Sequence, residues 1–169
     1  MTTDLATLER TADGGLIRFE RVLRYPVEEV WAALTEPKRL ADWWPPFATD
    51  VTVDLREGGS MKFDWPDGPQ LEFRFLRITP PRLLEHTHTS PGSWMRYELS
   101  PTDEGTLLRA TYFVTQPDQA IDRGDVVGGH YGFDRLEAAL SGHPVPVDFE
   151  AFASLQRAYA EHGLAAATT

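Results

Sequence analysis

Apolar and polar residues alternate along this chain with two different periods. Residues 17–25 change character at every step, as a strand with one buried face does. Residues 26–35 then place Val27, Val30, Trp31 and Leu34 at helical spacing. Pro26 suits the first turn of that helix, where its missing N–H has no partner to lose. Glu28 and Glu29 lie where the helix dipole favours carboxylates. Residues 36–44 predict a second short helix, with Thr35 as its N-cap and Pro45 as its stop.

From there the period is two. Strands are predicted at 51–55, 61–65, 71–78, 83–89, 94–100 and 106–114, which with 17–25 makes about seven. Gly58-Gly59, Pro66-Asp67-Gly68-Pro69, Pro80-Pro81, Ser90-Pro91-Gly92 and the stretch ending at Gly105 supply the turns. The alternation slips at Phe75-Leu76, which predicts a bulge. Helical spacing returns with Val126, Gly129, Phe133, Leu136 and Leu140, predicting one long helix over 118–141 that starts weakly because of its glycines. A last helix over about 148–162 is capped by Asp148 and ended by Gly163. The sum is an α+β domain: a curved antiparallel meander that buries the stripe of a late helix. The expected organisation is a mobile arm or short preliminary turn over 1–14, the domain over 15–142, and an extension over 143–169 with a frayed Ala-Thr tail.

With 169 residues, one domain with its own core is expected. A formal charge of −10 argues against nucleic acid and anionic membranes as partners. There is no cysteine, so disulfides, thiolate catalysis and Cys-based metal sites are excluded. No apolar run reaches the length of a membrane span and no signal segment opens the sequence, so a cytoplasmic protein is expected.

Residues 25–35, followed by Trp43-Trp44-Pro45, resemble the start of the START-type, birch-allergen-like superfamily (SRPBCC). Within it they are most similar to the branch of heat-shock-protein-90 ATPase activator homologues. Gly58-Gly59, residues 78–83 and Gly105-Thr106 extend the likeness, which covers roughly residues 15–140. The resemblance implies a helix-grip fold, in which the sheet wraps the long helix and leaves a hydrophobic cavity between them.

Candidate chemistry follows from that gap. Aromatic residues at inner positions, Phe63, Trp65, Phe73, Phe75, Tyr97 and Tyr112, either fill a core or touch a ligand, as does Trp44 above them. Gly128, Gly129 and Gly132 leave the helix face short of side chains, backing either onto space or onto close sheet contact. His86 and His88 stand two apart on one strand and point the same way, as polar hooks or as two ligands of a metal site that lacks a third. The resemblance instead turns Glu85 inward, where an apolar setting would raise the pKa of its carboxyl and fit it for general acid or base work, a salt bridge to a nearby arginine being the commoner outcome. His130 and Tyr131 lie on the long helix, one of them expected to face the sheet; His130 either supports proton transfer with Tyr112 or Glu85 across the cavity or, more commonly, is a helix-surface histidine. No phosphate loop, nucleophile elbow, His-Glu-x-x-His or Rossmann fingerprint occurs, so neither a cofactor nor a metal is expected. Three readings result, in order. The first is binding of a small hydrophobic molecule, the second a cavity enzyme of the cyclase, dehydratase or hydrolase kind. The third is a chaperone-interacting module of the stress response. A homodimer through Phe149, Phe152 and Tyr159 is a further possibility, beside folding of that helix back onto its own domain.

Overall fold

The structure is a computed structural model, and it describes residues 4–166. The chain runs β1 (Thr7–Thr11), β2 (Gly14–Leu23), α1 (Val27–Thr35), α2 (Pro37–Leu40), β3 (Asp50–Val53), β4 (Ser60–Asp64) and β5 (Leu71–Thr79). It continues with β6 (Leu83–Thr87), β7 (Trp94–Thr102), β8 (Gly105–Val114), α3 (Pro117–Arg123), α4 (Asp125–Leu140) and α5 (Phe149–Glu161). All strands join one curved antiparallel sheet in the order β1-β2-β8-β7-β6-β5-β4-β3. Consecutive strands from β3 to β8 pair with their neighbours, which is the meander that the tight turns predict. Helices α1 and α2 carry the chain from β2 to the far edge at β3. This is the helix-grip arrangement, with α4 against the inner face of the sheet.

The alternation in β2 explains the core. Ile17, Phe19 and Leu23 are buried on the inner face, while Arg18, Glu20 and Val22 are exposed on the other. Phe63, Phe73, Phe75 and Leu84 continue the apolar layer across the sheet. Phe133 of α4 meets it, with its ring 5.2 Å from that of Phe19 and 6.3 Å from that of Tyr97. The slip at Phe75-Leu76 is a register shift between Phe75 and Arg77 in the β5–β6 pairing.

The sequence expectation needs four corrections. The sheet has eight strands, because residues 7–11 pair with residues 14–18 as β1 instead of forming an arm. A polar edge strand with one partner shows little apolar periodicity, so the pattern misses it. Residues 1–3 of the expected arm and 167–169 of the expected frayed tail lie outside the described residues. The long helix is two: Gly124, at φ 80°, ends α3 and starts α4. Thr35 closes α1 and donates its hydroxyl to the Trp31 carbonyl, so Glu36 rather than Thr35 precedes α2. Trp65 lies one residue past β4, half-buried. The Asp148 cap holds, accepting from the Glu150 and Ala151 N–H groups. The last helix folds back on its own domain. Tyr159 is fully buried, Phe152 and Leu155 pack on the core, and exposed Phe149 stacks on exposed Phe47. Among the described residues no helix is long and apolar enough to cross a membrane.

Candidate functional site

A cavity of about 180 Å³ lies between α4 and the sheet. The sheet supplies Phe19, Met95, Tyr97 and Tyr112, and His88 stands just past the end of β6. Trp43 and Trp44, which follow α2, form the roof. Trp43 is anchored there by its indole N–H, which donates to the Ala33 carbonyl at 2.9 Å. The helix side is Gly124, Asp125, Gly128, Gly129, Gly132 and Phe133.

The three helix glycines divide cleanly. A Cβ on Gly129 would stand 2.7 Å from the Phe19 ring, so close helix–sheet approach requires glycine there. A Cβ on Gly132 would meet the Trp44 ring at 3.3 Å. A Cβ on Gly128 would meet nothing within 4 Å among the described residues, apart from its own helix. Of the two alternatives for this face, contact holds at Gly129 and Gly132, and space holds at Gly128.

The histidine strand has one orientation. His86 and His88 face inward with Leu84. Glu85 points to the opposite face, where Arg96 donates to it at 2.6 Å and itself lies 4.9 Å over the Trp94 ring. The His86 Nδ1 lies 2.7 Å from the Thr87 carbonyl and donates to it. Its Nε2 is buried with no hydrogen-bond partner among the described residues. Burial, then the neighbouring His88, holds the His86 imidazole down to about 3. Burial holds His88 down to about 4, so both rings are neutral at pH 7. The His88 ring sits 4.5 Å from Tyr112, 4.9 Å from Phe73 and 6.3 Å from Trp44. Among the described residues no three His, Asp or Glu side chains cluster as a metal site.

The polar end of the cavity is built on Gly124. That glycine turns the chain so that Asp125 opens α4 beside the sheet. The Tyr112 hydroxyl donates to Asp125 Oδ2 at 3.2 Å, and Arg123 holds the same carboxylate at 2.7 Å. Burial, followed by the Asp125 charge, pushes the Tyr112 hydroxyl up. Burial alone pushes up Tyr97, whose hydroxyl makes no hydrogen bond among the described residues.

The expected site residues therefore separate. Trp44, His88, Tyr97 and Tyr112 line the cavity. Phe63, Phe73, Phe75 and His86 are buried behind it. Trp65 borders a shallow surface depression with Pro66 and Pro69 instead. His130 and Tyr131 face away, toward α5. The Tyr131 hydroxyl accepts from the Asp148 N–H at 2.6 Å, and its ring meets Phe152 edge-on. The His130 Nδ1 lies 2.8 Å from the Tyr159 hydroxyl, which in turn accepts from the Ala6 N–H at 2.8 Å. Asp134 stands 3.6 Å from the His130 Nε2 and 3.8 Å from buried Arg21. Burial pulls the Arg21 guanidinium down and pushes the Asp134 carboxyl up, each against the pull of the other's charge. Phe19, Trp43, Met95 and Asp125 line the cavity without having been singled out. Phe19 and Trp43 had visible signals, in the strand alternation and the Trp-Trp pair. Asp125 had none, because its place depends on the break at Gly124.

Comparison with known proteins agrees with this architecture. The family described as Activator of Hsp90 ATPase homolog 1-like protein matches residues 24–141. The structure of protein NE0264 from Nitrosomonas europaea is 29% identical, with a TM-score of 0.66 over 78% of this chain and 97% of that one. CalU16 from Micromonospora echinospora is 27% identical, with a TM-score of 0.69 over 95% of this chain and 98% of that one. EF2215 from Enterococcus faecalis, a conserved protein of unknown function, shares the fold at 20% identity, with a TM-score of 0.71 over 93% of this chain and 89% of that one. No curated protein matches significantly.

Proposed function

The chain belongs to the family of Activator of Hsp90 ATPase homolog 1-like proteins, and from that footing we propose that it binds a small hydrophobic molecule between α4 and the sheet. Gly128 is the observation that carries this reading. A helix-interior glycine costs about 1 kcal/mol relative to alanine. Contact with Phe19 accounts for Gly129, and contact with Trp44 accounts for Gly132. A Cβ on Gly128 would meet nothing within 4 Å among the described residues outside its own helix, so no packing contact accounts for that glycine. The surroundings support the same reading, being mainly aromatic with a few polar groups at one end. A cavity of about 150 Å³ accommodates benzene. About 180 Å³ therefore suits one or two fused rings, well short of a lipid. The ligand would contact Trp44, His88, Tyr97 and Tyr112.

The test is a nuclear magnetic resonance titration with naphthalene. Shift changes are expected at the Gly128, Gly129 and Gly132 amides and at the Met95 methyl. Changes confined to α5, or none at saturation, would remove the reading. The second reading, a cavity enzyme, draws on the Tyr112–Asp125 hydrogen bond, a hydroxyl donor and a carboxylate acceptor at the polar end. It competes poorly, because the imidazole beside them, held down to about 4, is a weak base at neutral pH.

A further inference from the structure

The polar groups of the cavity carry a preference among ligands, provided the cavity is a ligand site as proposed above. Charge comes first. Asp125 is the only carboxylate among the described residues lining the space, and no lysine or arginine lines it. Arg123, the nearest cation to that carboxylate, is 44% exposed and held by Asp125. The His88 imidazole that lines the cavity lacks a charge near neutral pH. The chain as a whole carries −10. A carboxylate entering here would leave water and meet a carboxylate, while Arg123, already paired with Asp125, does not line the space.

Hydrogen bonding comes second. The Tyr97 hydroxyl makes no hydrogen bond among the described residues, and it borders the cavity. His88 bonds Thr89 through Nδ1 at 3.2 Å, and its Nε2 has no hydrogen-bond partner among the described residues. These groups stand among rings that offer only flat apolar surface. A ligand that hydrogen-bonds these groups is favoured over an isostere that displaces their hydration without replacing it.

We propose that the cavity selects uncharged one- or two-ring aromatic molecules bearing a hydroxyl group, and rejects carboxylates of the same size. The hydroxyl bonds Tyr97 or His88, and the ring lies against Gly128 beneath Trp44.

Calorimetric titration of the intact protein at pH 7.5 with naphthalene, 2-naphthol and 2-naphthoate tests this. At that pH the naphthol is neutral and the naphthoate ionised. Naphthol is expected to bind about tenfold more tightly than naphthalene. It is expected to bind at least about a hundredfold more tightly than naphthoate. Naphthoate binding as tightly as naphthol would overturn the preference while leaving the cavity as a ligand site. Binding of none of the three would overturn the preference and the proposed function together. Tyr97→Phe and His88→Phe give an independent readout, the ratio of naphthol to naphthalene affinity. That ratio is expected to fall in at least one of them, and an unchanged ratio in both would overturn recognition of the hydroxyl.

Discussion

The two faces of α4 are built in opposite ways. One face borders the hollow with Gly128, Gly129 and Gly132. The other carries His130 and Asp134 into a buried polar cluster with Arg21 and Tyr159. In sequence the second face looks like chemistry and the first looks like weakness. In the fold the roles are exchanged. The histidine, the aspartate and the tyrosine lock β2, α4 and α5 to the residues just before β1. Gly129 and Gly132 let Phe19 and Trp44 approach closely, and Gly128 leaves room. A buried cluster of titratable groups is weak grounds for a site when every neighbour is a structural element it ties together.

That contrast can be broken at its strongest point first. Arg21→Met removes the cation opposite Asp134 and leaves a carboxylate in a largely buried place. Stability is expected to drop by about 3 kcal/mol in urea denaturation, with naphthalene affinity retained. Unchanged stability would mean the cluster does not hold the fold. Next, Tyr159→Phe removes the acceptor for the Ala6 N–H and the partner of His130, at an expected cost of about 2 kcal/mol by the same measurement. A pH-dependent effect, spread over more than two pH units, separates the histidines. The folded state holds His86 at about 3 and His88 at about 4, below the ordinary 6.5. The unfolded chain therefore binds more protons between those values. Stability contributed by the neutral rings is complete above about pH 6.5 and is lost as pH falls toward 4, by up to about 1.4 kcal/mol per pH unit for each ring. Denaturation curves between pH 5 and 6.5 should show this slope, and His86→Phe should flatten it. A slope identical in that variant would contradict neutral burial of His86. The smallest effect sharpens the comparison within one face. Gly128→Ala is expected to gain up to about 1 kcal/mol from helix propensity alone. Gly129→Ala is expected to lose stability, because its Cβ would press on Phe19. Equal effects of the two in thermal unfolding would deny that one glycine faces space and the other contact.

Much of the fold was legible because periodicity reports burial directly. The meander, the bulge after Phe75, the Asp148 cap and the two helices after the opening strand all follow from local pattern and turn chemistry. What local pattern misses is tertiary. Edge strand β1 exists only through its pairing with β2. The break at Gly124 needs a left-handed backbone that a glycine permits without announcing. Strand alternation favoured an inward His86 and His88, which is how they lie, over the inward Glu85 that the family likeness suggested. His130 and Tyr131 were misplaced for a different reason. Their side of α4 is set by α5, whose docking no pattern along α4 records. Trp65 was extrapolated along a strand that ends one residue sooner.

The central claim is that the space over Gly128 is open and that a ligand takes it. Thermal unfolding of the wild type and of Gly128→Leu, each with and without naphthalene, tests it most directly. The wild type is expected to melt higher with naphthalene. The variant is expected to melt at or above the unliganded wild type and to gain nothing from naphthalene, because leucine fills the seat. A variant that melts well below the wild type, or that still gains from naphthalene as the wild type does, would contradict the account.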